Sequence, residues 1–326
     1  MVVAVAITVT RVPTGTTASF RALSAAPDGR SVWATGTGGT VLLSRDGTEW
    51  IRDSLPAARS FDLRGVAAVG AGTAYAMVAS ADTARIYKTT TGGDHWTLQY
   101  DDTRRGAFLD GIAFWDRDHG VALGDPIDGA FLLLTTSDGG AHWGRVPSSA
   151  LPAHLSGEAA FAASNTALVV GPAGVAWFAT GGGPRARVYR TDDAGQHWSV
   201  ADLPIPAGDA SSGAFSLAFR DARHGLAVGG DYTAPDSSRP NVARTDDGGR
   251  SWVVGDSARV LPYVSAVAAV GGDTAVATGP RGTFLSVDWG RSWQRVDSVS
   301  YNAIIVTRGR AVMVGPHGSA AVLSVH

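Results

Sequence analysis

The stretch Thr245-Asp246-Asp247-Gly248-Gly249-Arg250-Ser251-Trp252 is one copy of a unit that recurs along the whole sequence. Three further copies share its pattern, Ser/Thr-x-Asp-x-Gly-x-x-Trp, over residues 136–143, 191–198 and 286–293. Two degraded copies come first: residues 89–96 have Thr91 in place of the Asp, and residues 44–50 have lost one residue. Related units at regular intervals predict a repeated structure.

The spacing within each unit predicts a tight turn. A Ser or Thr and an Asp two residues apart can accept hydrogen bonds from nearby backbone N–H groups, and the Gly adopts a positive φ at little cost. The Trp buries a large ring, and we expect its indole N–H to reach a partner. This motif is the Asp-box, or BNR repeat. We predict that its residues are structural, namely Asp46, Asp138, Asp193, Asp247, Asp288, Trp50, Trp96, Trp143, Trp198, Trp252 and Trp293.

The interval between boxes predicts the fold. Successive box tryptophans are 41–55 residues apart. Each interval holds several short apolar segments separated by turn residues, for example Gly111-Ile112-Ala113-Phe114 and Val121-Ala122-Leu123-Gly124. A period of about 40–50 residues with several short strands is typical of a β-propeller. We therefore predict an all-β chain folded as a single seven-bladed β-propeller over residues 1–326.

The N-terminus is predicted to complete the last blade. After the last box, residues 301–323 supply three apolar segments and no fourth. Thr10-Arg11-Val12-Pro13 resembles Gly144-Arg145-Val146-Pro147, which directly follows a box Trp. We therefore expect residues 7–12 to form the outer strand of a blade built from about 300–326 plus 1–13, which closes the ring and removes its free edges. Six blades and a loose tail are the alternative.

Two blades depart from the regular length. In the fourth, residues 156–170, 175–180 and 187–191 hold more strand than a blade needs, so we expect an insertion between its first and third strands. In the fifth, residues 232–241 contain Pro235 and Pro240 and are expected to form an exposed loop.

Composition excludes several functional classes. The chain of 326 residues has a net charge of −2 and a pI of about 6.4, so it lacks the basic footprint of a nucleic-acid-binding protein. It contains no cysteine, which excludes disulfides and thiolate metal sites. No apolar run approaches the ~18 residues of a membrane span. We expect a monomer that does not span a membrane.

The histidines do not indicate a metal site. His95, His142 and His197 each precede a box Trp on a different blade, while His119 and His224 occupy equivalent Asp-x-x-His-Gly turns. Because metal ligands must converge on one point, we predict neither a metal site nor a cofactor.

The innermost strands and the loops beside them are the best place to look for a binding site, because they surround the central channel. The candidate ligand- or partner-binding residues at these positions are Arg21, Arg64, Asp110, Asp125, Glu158, Ser216, Asp231, Tyr232 and Asn302. Their guanidinium, carboxyl and hydroxyl groups suit a polar ligand or a peptide. The alternative is a solvated channel mouth whose charges neutralise one another. No catalytic residue is assigned.

From Phe20 to Val322 the sequence resembles the YCF48/HCF136 group, the photosystem II stability and assembly factor-like propellers. The resemblance rests on Phe114-Trp115-Asp116, Gly124-Asp125-Pro126, residues 156–161 and the repeated boxes. It implies a non-enzymatic assembly factor that recognises a protein segment or polar ligand at the channel face. It also implies a periplasmic or other extracytoplasmic location, since such proteins are often exported; a cytoplasmic location is the alternative.

A glycoside hydrolase is the alternative function, because Asp-boxes also occur in sialidases and in xyloglucan-degrading propellers. Such an enzyme would need two carboxyl groups at a suitable separation on the same face. The Phe-Arg-Ile-Pro segment of sialidases has its nearest counterpart in Phe20-Arg21-Ala22-Leu23, which lacks the Pro. We therefore favour binding over catalysis, with a protein or peptide, a polar small molecule or a glycan as the partner.

Overall fold

Short antiparallel strands account for nearly all the regular structure of this chain. The computed structural model describes residues 6–237, 239–254 and 261–325. In these ranges the strands form seven four-stranded sheets, and no residue is in an α-helix. Single 3-10 turns occur at Thr37–Gly39, Pro56–Ala58, Ser148–Ala150, Pro172–Gly174 and Pro316–Gly318.

The strands are numbered along the chain from β1 (Ile7–Arg11), and the strands of each blade follow in order from the innermost to the outermost. The first blade contains β2 (Phe20–Ala25), β3 (Val32–Gly36), β4 (Thr40–Ser44) and β5 (Trp50–Ser54). The second contains β6 (Leu63–Ala68), β7 (Ala74–Ser80), β8 (Thr83–Thr89) and β9 (Thr97–Asp102). The third contains β10 (Gly111–Phe114), β11 (Gly120–Ile127), β12 (Ala130–Thr136) and β13 (Gly144–Arg145).

The remaining blades follow the same order. The fourth contains β14 (Leu168–Val170), β15 (Ala176–Ala179), β16 (Arg187–Thr191) and β17 (Ser199–Asp202). The fifth contains β18 (Ser212–Phe219), β19 (Gly225–Asp231), β20 (Val242–Thr245) and β21 (Val253–Val254). The sixth contains β22 (Ala266–Gly271), β23 (Thr274–Gly279), β24 (Gly282–Ser286) and β25 (Gln294–Asp297). The seventh contains β26 (Ala303–Thr307), β27 (Arg310–Val314), β28 (Ala320–Val325) and β1.

The innermost strands stand side by side around an axis. Each contacts the innermost strand of the next blade, and the series returns from β26 of the seventh blade to β2 of the first. The prediction of an all-β, seven-bladed propeller is therefore confirmed.

The first strand of the chain pairs with the last. β1 lies antiparallel to β28, with Ile7 opposite Val325 and Arg11 opposite Ala321. The first and last strands of the described residues thus belong to the same sheet, with β1 as its outermost strand. This pairing covers the edge of β28 that would otherwise present unpaired backbone groups.

The second strands are largely buried, because they lie in the interior of their sheets and neighbouring blades cover both of their faces. In β3 and β27 the runs Trp33-Ala34 and Ala311-Val312-Met313-Val314 are fully buried and apolar, as expected for strands covered on both faces. The glycines that end several of these segments allow a close backbone approach. A Cβ built on Gly124 would clash with the carbonyl oxygen of Phe108, which leads into the innermost strand of the same blade.

The fourth blade differs from the expectation. Its additional residues lie before its first strand, β14, and not between its first and third strands. Residues 156–167 form an irregular segment that includes one isolated β-bridge, from Ala159 to Gly181. A buried ion pair between Glu158 and Arg187 holds the start of this segment against β16.

The box turns have the hydrogen bonds that their spacing predicts. In the fifth blade, the Thr245 hydroxyl donates to Asp247 at 2.7 Å and accepts the N–H of Gly249 at 2.9 Å. Asp247 also accepts the N–H groups of Arg250 and Ser251, each at 2.9 Å. Burial by itself would raise the pKa of Asp247, but these hydrogen bonds outweigh that effect and lower the pKa to about 2. In the degraded second-blade box, the Thr91 hydroxyl replaces the carboxylate and accepts the N–H of His95 at 3.0 Å.

The expectation for the tryptophan N–H groups holds only in part. Trp198 and Trp252 donate to the carbonyl oxygens of Gly195 and Gly249, at 3.1 and 3.2 Å. Among the described residues, the buried indole N–H groups that find no acceptor include those of Trp50, Trp96, Trp143 and Trp293. The box tryptophans therefore act mainly through packing.

Neighbouring blades are joined through the boxes. The indole N–H of Trp177 in β15 donates to the carbonyl oxygen of Gly248 in the next blade's box at 2.8 Å. The same ring stacks on Phe219 at 3.8 Å, and Phe219 meets Trp252 edge-on at 6.1 Å. In the second blade, the Tyr75 hydroxyl makes the equivalent bond to a box carbonyl of the third blade at 2.5 Å.

Deletion of residues 1–12 should destabilise the protein severely, because it removes β1 and exposes the edge of β28. Loss of several backbone hydrogen bonds at about 1 kcal/mol each should lower the Tm by roughly 10 °C or more and promote aggregation. Thermal unfolding and size-exclusion chromatography test this. Deletion of residues 1–5 alone, which leaves β1 in place, is the control. A monomeric 1–12 deletion variant with the wild-type Tm would show that β1 does not contribute to the ring.

Replacement of a box residue should lower the free energy of unfolding, more for a packed tryptophan than for an aspartate that only accepts turn hydrogen bonds. Trp252→Ala should cost about 3–5 kcal/mol as a large-to-small change in a packed site, and Asp247→Ala about 1–2 kcal/mol through lost turn hydrogen bonds. Asp247→Thr is the matched control, since Thr91 performs this role in the second blade, and it should retain much of the stability. Denaturant unfolding measures all three. An Asp247→Ala variant of unchanged stability would contradict a structural role.

Candidate functional site

A cavity of about 510 Å³ lies where the innermost strands begin. All seven blades contribute side chains to its wall, so the cavity sits on the axis of the ring. The residues that contribute its charge, hydrogen-bonding groups and aromatic surface are Arg21, Arg64, Phe108, Asp110, Asp125, Phe161, Phe215, Tyr232, Tyr263, Ser265 and Asn302. We call this feature the axial cavity.

β-Bulges aim several of these side chains. The pairing of β2 with β3 skips Arg21, and that of β6 with β7 skips Arg64. The pairing of β18 with β19 skips Phe215, and that of β11 with β12 skips Asp125. A bulged residue leaves the ladder and its side chain is redirected. The repeated bulge therefore places one side chain from each of these blades at the axial cavity.

Two arginines from adjacent blades form the cationic part of the axial cavity. Burial lowers the pKa of the Arg21 guanidinium, and the neighbouring positive charge of Arg64 lowers it further. Arg64 contacts Asp62 at a long 3.4 Å, and its buried Nε has no hydrogen-bond partner among the described residues. Two like charges held together with so little compensation favour an anionic group on the ligand.

Two carboxyl groups from the third blade form the acidic part. Asp110 is 1% exposed, and neither of its carboxyl oxygens makes a hydrogen bond of normal geometry to a described residue, although the N–H of Ala162 approaches it. Burial raises the pKa of Asp110 well above its usual range, the charge of Asp125 raises it further, and Arg64 opposes both. Burial also raises the pKa of Asp125 to about 6, although this carboxylate accepts the N–H of Ala160 at 3.0 Å.

An aromatic wall completes the axial cavity on the side of the fourth to sixth blades. Phe161 stacks on Phe215 at 3.8 Å, and Tyr263 meets Phe215 edge-on at 4.9 Å. Tyr232 stands at the outer end of this wall and is 51% exposed. Such a wall can pack against apolar side chains or against the methylene groups of long polar ones.

The structure brings six of the candidate residues into the axial cavity: Arg21, Arg64, Asp110, Asp125, Tyr232 and Asn302. Asn302 also has a structural role, because its side-chain amide donates to the carbonyl oxygen of Phe20 at 2.8 Å and so joins the seventh blade to the first.

The other three candidate residues lie elsewhere. Glu158 is buried and accepts hydrogen bonds from Thr180 at 2.6 Å and from Arg187 Nε at 2.9 Å. Ser216 follows the bulge, so it returns to the ladder, where its hydroxyl accepts the N–H of Val267 at 3.0 Å. Asp231 accepts hydrogen bonds from the N–H and hydroxyl of Thr233, which lower its pKa, and it lines a smaller neighbouring pocket of about 200 Å³.

Two parts of the axial cavity were missed by sequence reasoning. The segment 159–163, which carries Phe161, belongs to the irregular insertion of the fourth blade, and no local pattern indicates where it packs. Tyr263 precedes the sixth blade's innermost strand by only a few residues. Closer attention to the residues before each strand could have found it.

No group of three or more metal-ligating side chains occurs within residues 6–237, 239–254 and 261–325. His119 and His224 contact the carboxylates of their own turns, Asp116 and Asp221. The described part of the chain also contains no helix that could cross a bilayer.

The fold and the axial cavity define a seven-bladed β-propeller with a polar site on its axis. Among solved structures, YCF48 bound to D1 peptide is similar at 15% identity and a TM-score of 0.67, covering 98% of this chain and 96% of that one. YCF48 from Cyanidioschyzon merolae matches at 13% identity and a TM-score of 0.68, covering 97% and 98%.

An enzyme is similar to this chain in fold to nearly the same degree. The GH74 xyloglucanase from Xanthomonas campestris matches at 17% identity and a TM-score of 0.65, covering 97% of this chain and 53% of the enzyme. No family model matches the sequence, and no curated protein does either. At these identities the likenesses establish the propeller fold, and the function must be argued from the site.

The stability of the protein should depend on pH through Asp125. Because its pKa is raised in the folded state to about 6, the folded protein keeps a proton that the unfolded chain releases from about pH 4 upward. This contribution to stability is present below pH 4 and is lost as the pH rises through 6.

Asp125→Asn should therefore raise the free energy of unfolding at pH 8 by roughly 1–3 kcal/mol and change it little at pH 4. Asp231→Asn is the control, since the pKa of Asp231 is lowered in its turn and its replacement should not stabilise the protein. Urea unfolding at both pH values measures the difference. An Asp125→Asn variant less stable than wild type at pH 8 would contradict the prediction.

Proposed function

We propose that this chain is a binding protein that recognises a segment of another protein in the axial cavity. One observation carries the proposal: a single cavity on the ring axis holds two guanidinium groups, two carboxyl groups and an aromatic wall. At about 510 Å³ it falls within the usual range of ligand sites.

The scaffold suits recognition. The side chains of the axial cavity come from strands held on both sides by neighbouring blades, so they are positioned before a ligand arrives. Preorganised groups bind with a smaller loss of conformational entropy than mobile ones. The paired charges of Arg21 and Arg64 would accept an acidic side chain, and the aromatic wall would accept an apolar one.

A similar fold is known in complex with a peptide. The structure of YCF48 bound to D1 peptide belongs to another protein with 15% identity to this chain. It supports the proposal by showing that a propeller of this shape can bind a peptide; it does not identify the partner of this chain.

Glycoside hydrolysis is the second candidate, and the carboxyl pair of Asp110 and Asp125 favours it. A hydrolase needs one carboxyl group that keeps its proton and another that ionises, and burial raises the pKa of both of these groups. The similarity to a xyloglucanase supports this candidate only at the level of fold. Binding is preferred because the same cavity also contains two arginines and an aromatic wall.

Selection from a random twelve-residue peptide display library should yield peptides that bind the immobilised wild-type protein. The double replacement Arg21→Ala/Arg64→Ala should weaken the selected peptides by about tenfold or more, as expected for the loss of charge-assisted hydrogen bonds. Its Tm should stay close to that of wild type, because the two charges repel each other. Isothermal calorimetry and thermal unfolding provide the measurements.

The matched control is Arg250→Ala/Arg291→Ala, which removes the same charge from the exposed box turns and should leave peptide affinity unchanged. Equal losses of affinity in the two double variants would show that only net charge matters. A wild-type protein that selects no peptide would refute the proposed function.

The hydrolase candidate is tested separately. Chromogenic glycosides and xyloglucan oligosaccharides should not be turned over by the wild-type protein. Turnover that disappears in Asp110→Asn would overturn the binding proposal in favour of catalysis.

A further inference from the structure

Asp110 is the buried group in the axial cavity that lacks compensation. Its side chain lines the cavity at 1% exposure, and its carboxyl oxygens make no hydrogen bond of normal geometry to a described residue; only the N–H of Ala162 approaches them. Buried carboxyl groups without partners are rare because they lose their hydration and gain nothing in exchange. A second carboxyl group, that of Asp125, lines the same cavity, and its charge further raises the pKa of Asp110.

The cation that the protein itself supplies does not neutralise this pair. Arg64 is the positive charge that acts on Asp110, but it also contacts Asp62 at 3.4 Å and lies near the like charge of Arg21. Asp125 receives one backbone N–H, from Ala160. Two carboxyl groups thus line the axial cavity, and one guanidinium, that of Arg64, acts on Asp110.

We propose that Asp110 and Asp125 bind a cationic side chain, a lysine ammonium or an arginine guanidinium, of the segment recognised in the axial cavity. This inference rests on the proposed function and specifies the chemistry of the partner. The ammonium or guanidinium supplies the hydrogen-bond donors that the oxygens of Asp110 lack. It also supplies the positive charge that two carboxylates require.

The axial cavity has a positively charged part and an acidic part, so it favours a ligand that carries both charges. Arg21 and Arg64 come from the first and second blades, and the two carboxyl groups come from the third. A basic side chain at the carboxyl pair is repelled by the nearby Arg64, and an acidic side chain at the two arginines offsets that repulsion. The segment that fits therefore carries an acidic and a basic residue within a few positions of each other.

The aromatic wall supports the same interpretation. The chains of CH₂ groups in lysine and arginine pack on aromatic faces while their charged ends reach polar groups beyond, and cations are attracted to the faces of tyrosine and phenylalanine. Phe161, Phe215 and Tyr263 line the axial cavity together with the carboxyl pair. The methylene groups of one lysine or arginine can therefore pack on the aromatic wall while its charged end reaches the two carboxyl groups.

Binding of a cation has a measurable consequence for protons. In the free protein, burial holds the pKa of Asp110 well above its usual range. A bound ammonium or guanidinium favours the ionised forms of Asp110 and Asp125. Binding of a basic segment is therefore coupled to release of protons from this carboxyl pair to the solvent buffer.

The experiment compares peptide selection on wild type and on Asp110→Asn/Asp125→Asn, using the random twelve-residue display library. Wild type should enrich lysine or arginine at one position near an acidic residue, and the variant should lose this enrichment. The best wild-type peptide is then synthesised with its basic residue and with norleucine in its place, a neutral residue of similar shape. The norleucine peptide should bind wild type about tenfold more weakly or worse.

Calorimetry in buffers of different ionisation enthalpy measures the proton. The basic peptide should release more protons on binding than the norleucine peptide does. Asp231→Asn, which changes a neighbouring carboxylate outside the axial cavity, should retain the full preference for the basic peptide. Thermal unfolding verifies that each variant is folded, and the peptide substitution tests the site without altering the protein at all.

The outcomes separate the two proposals. If wild type selects no peptide, the proposed function fails and the cation site fails with it. If wild type selects peptides without a basic residue, or binds the norleucine peptide equally well without proton release, the cation site is refuted while the proposed function stands. Selection of serine or threonine in the basic position would assign Asp110 to a neutral hydrogen-bond donor instead.

Discussion

The contact between one blade's second strand and the next blade's box turn is the interaction on which the rest of the structure depends. Trp177 shows it fully: its indole N–H bonds to the carbonyl of Gly248, and its ring stacks on Phe219, which meets Trp252. A four-stranded blade cannot bury both of its faces alone, so each blade needs a neighbour on either side. The box presents a rigid turn and a large ring at the position where that neighbour arrives.

The ring creates a site that no single blade contains. Each blade contributes one or a few side chains to the axial cavity, and only the closed arrangement brings them within reach of one ligand. Some of these residues oppose stability: the Arg21 and Arg64 charges repel each other, and Asp110 is buried without a hydrogen bond of normal geometry to a described residue. The apolar second strands and the boxes at the rim offset this loss of stability. Stabilising and recognising residues are thus separated in space, which is common where a scaffold supports a polar site.

Although the blades repeat the same strand pattern, each blade presents a different side chain to the axis of the ring. Equivalent bulges in different blades expose Arg21, Arg64 and Phe215. The bulge is a backbone feature and is indifferent to the residue it displays, so each blade can vary its axial side chain without disturbing its ladder. The result is a cavity with a cationic part, an acidic part and an aromatic part, and this asymmetry is what makes it selective.

The sequence by itself determined the propeller, the number of blades and the four charged side chains of the axial cavity, because strand periodicity and turn chemistry act over a few residues and the boxes recur at regular intervals. Tertiary structure alone decided the rest. Glu158 is removed from the cavity by Arg187, far along the chain, and a bulge selects Phe215 over Ser216. The insertion of the fourth blade carries Phe161 to the axis. Local patterns specify which strand a residue joins, but the partner of a buried charge and the direction of a bulged side chain depend on atoms distant in sequence.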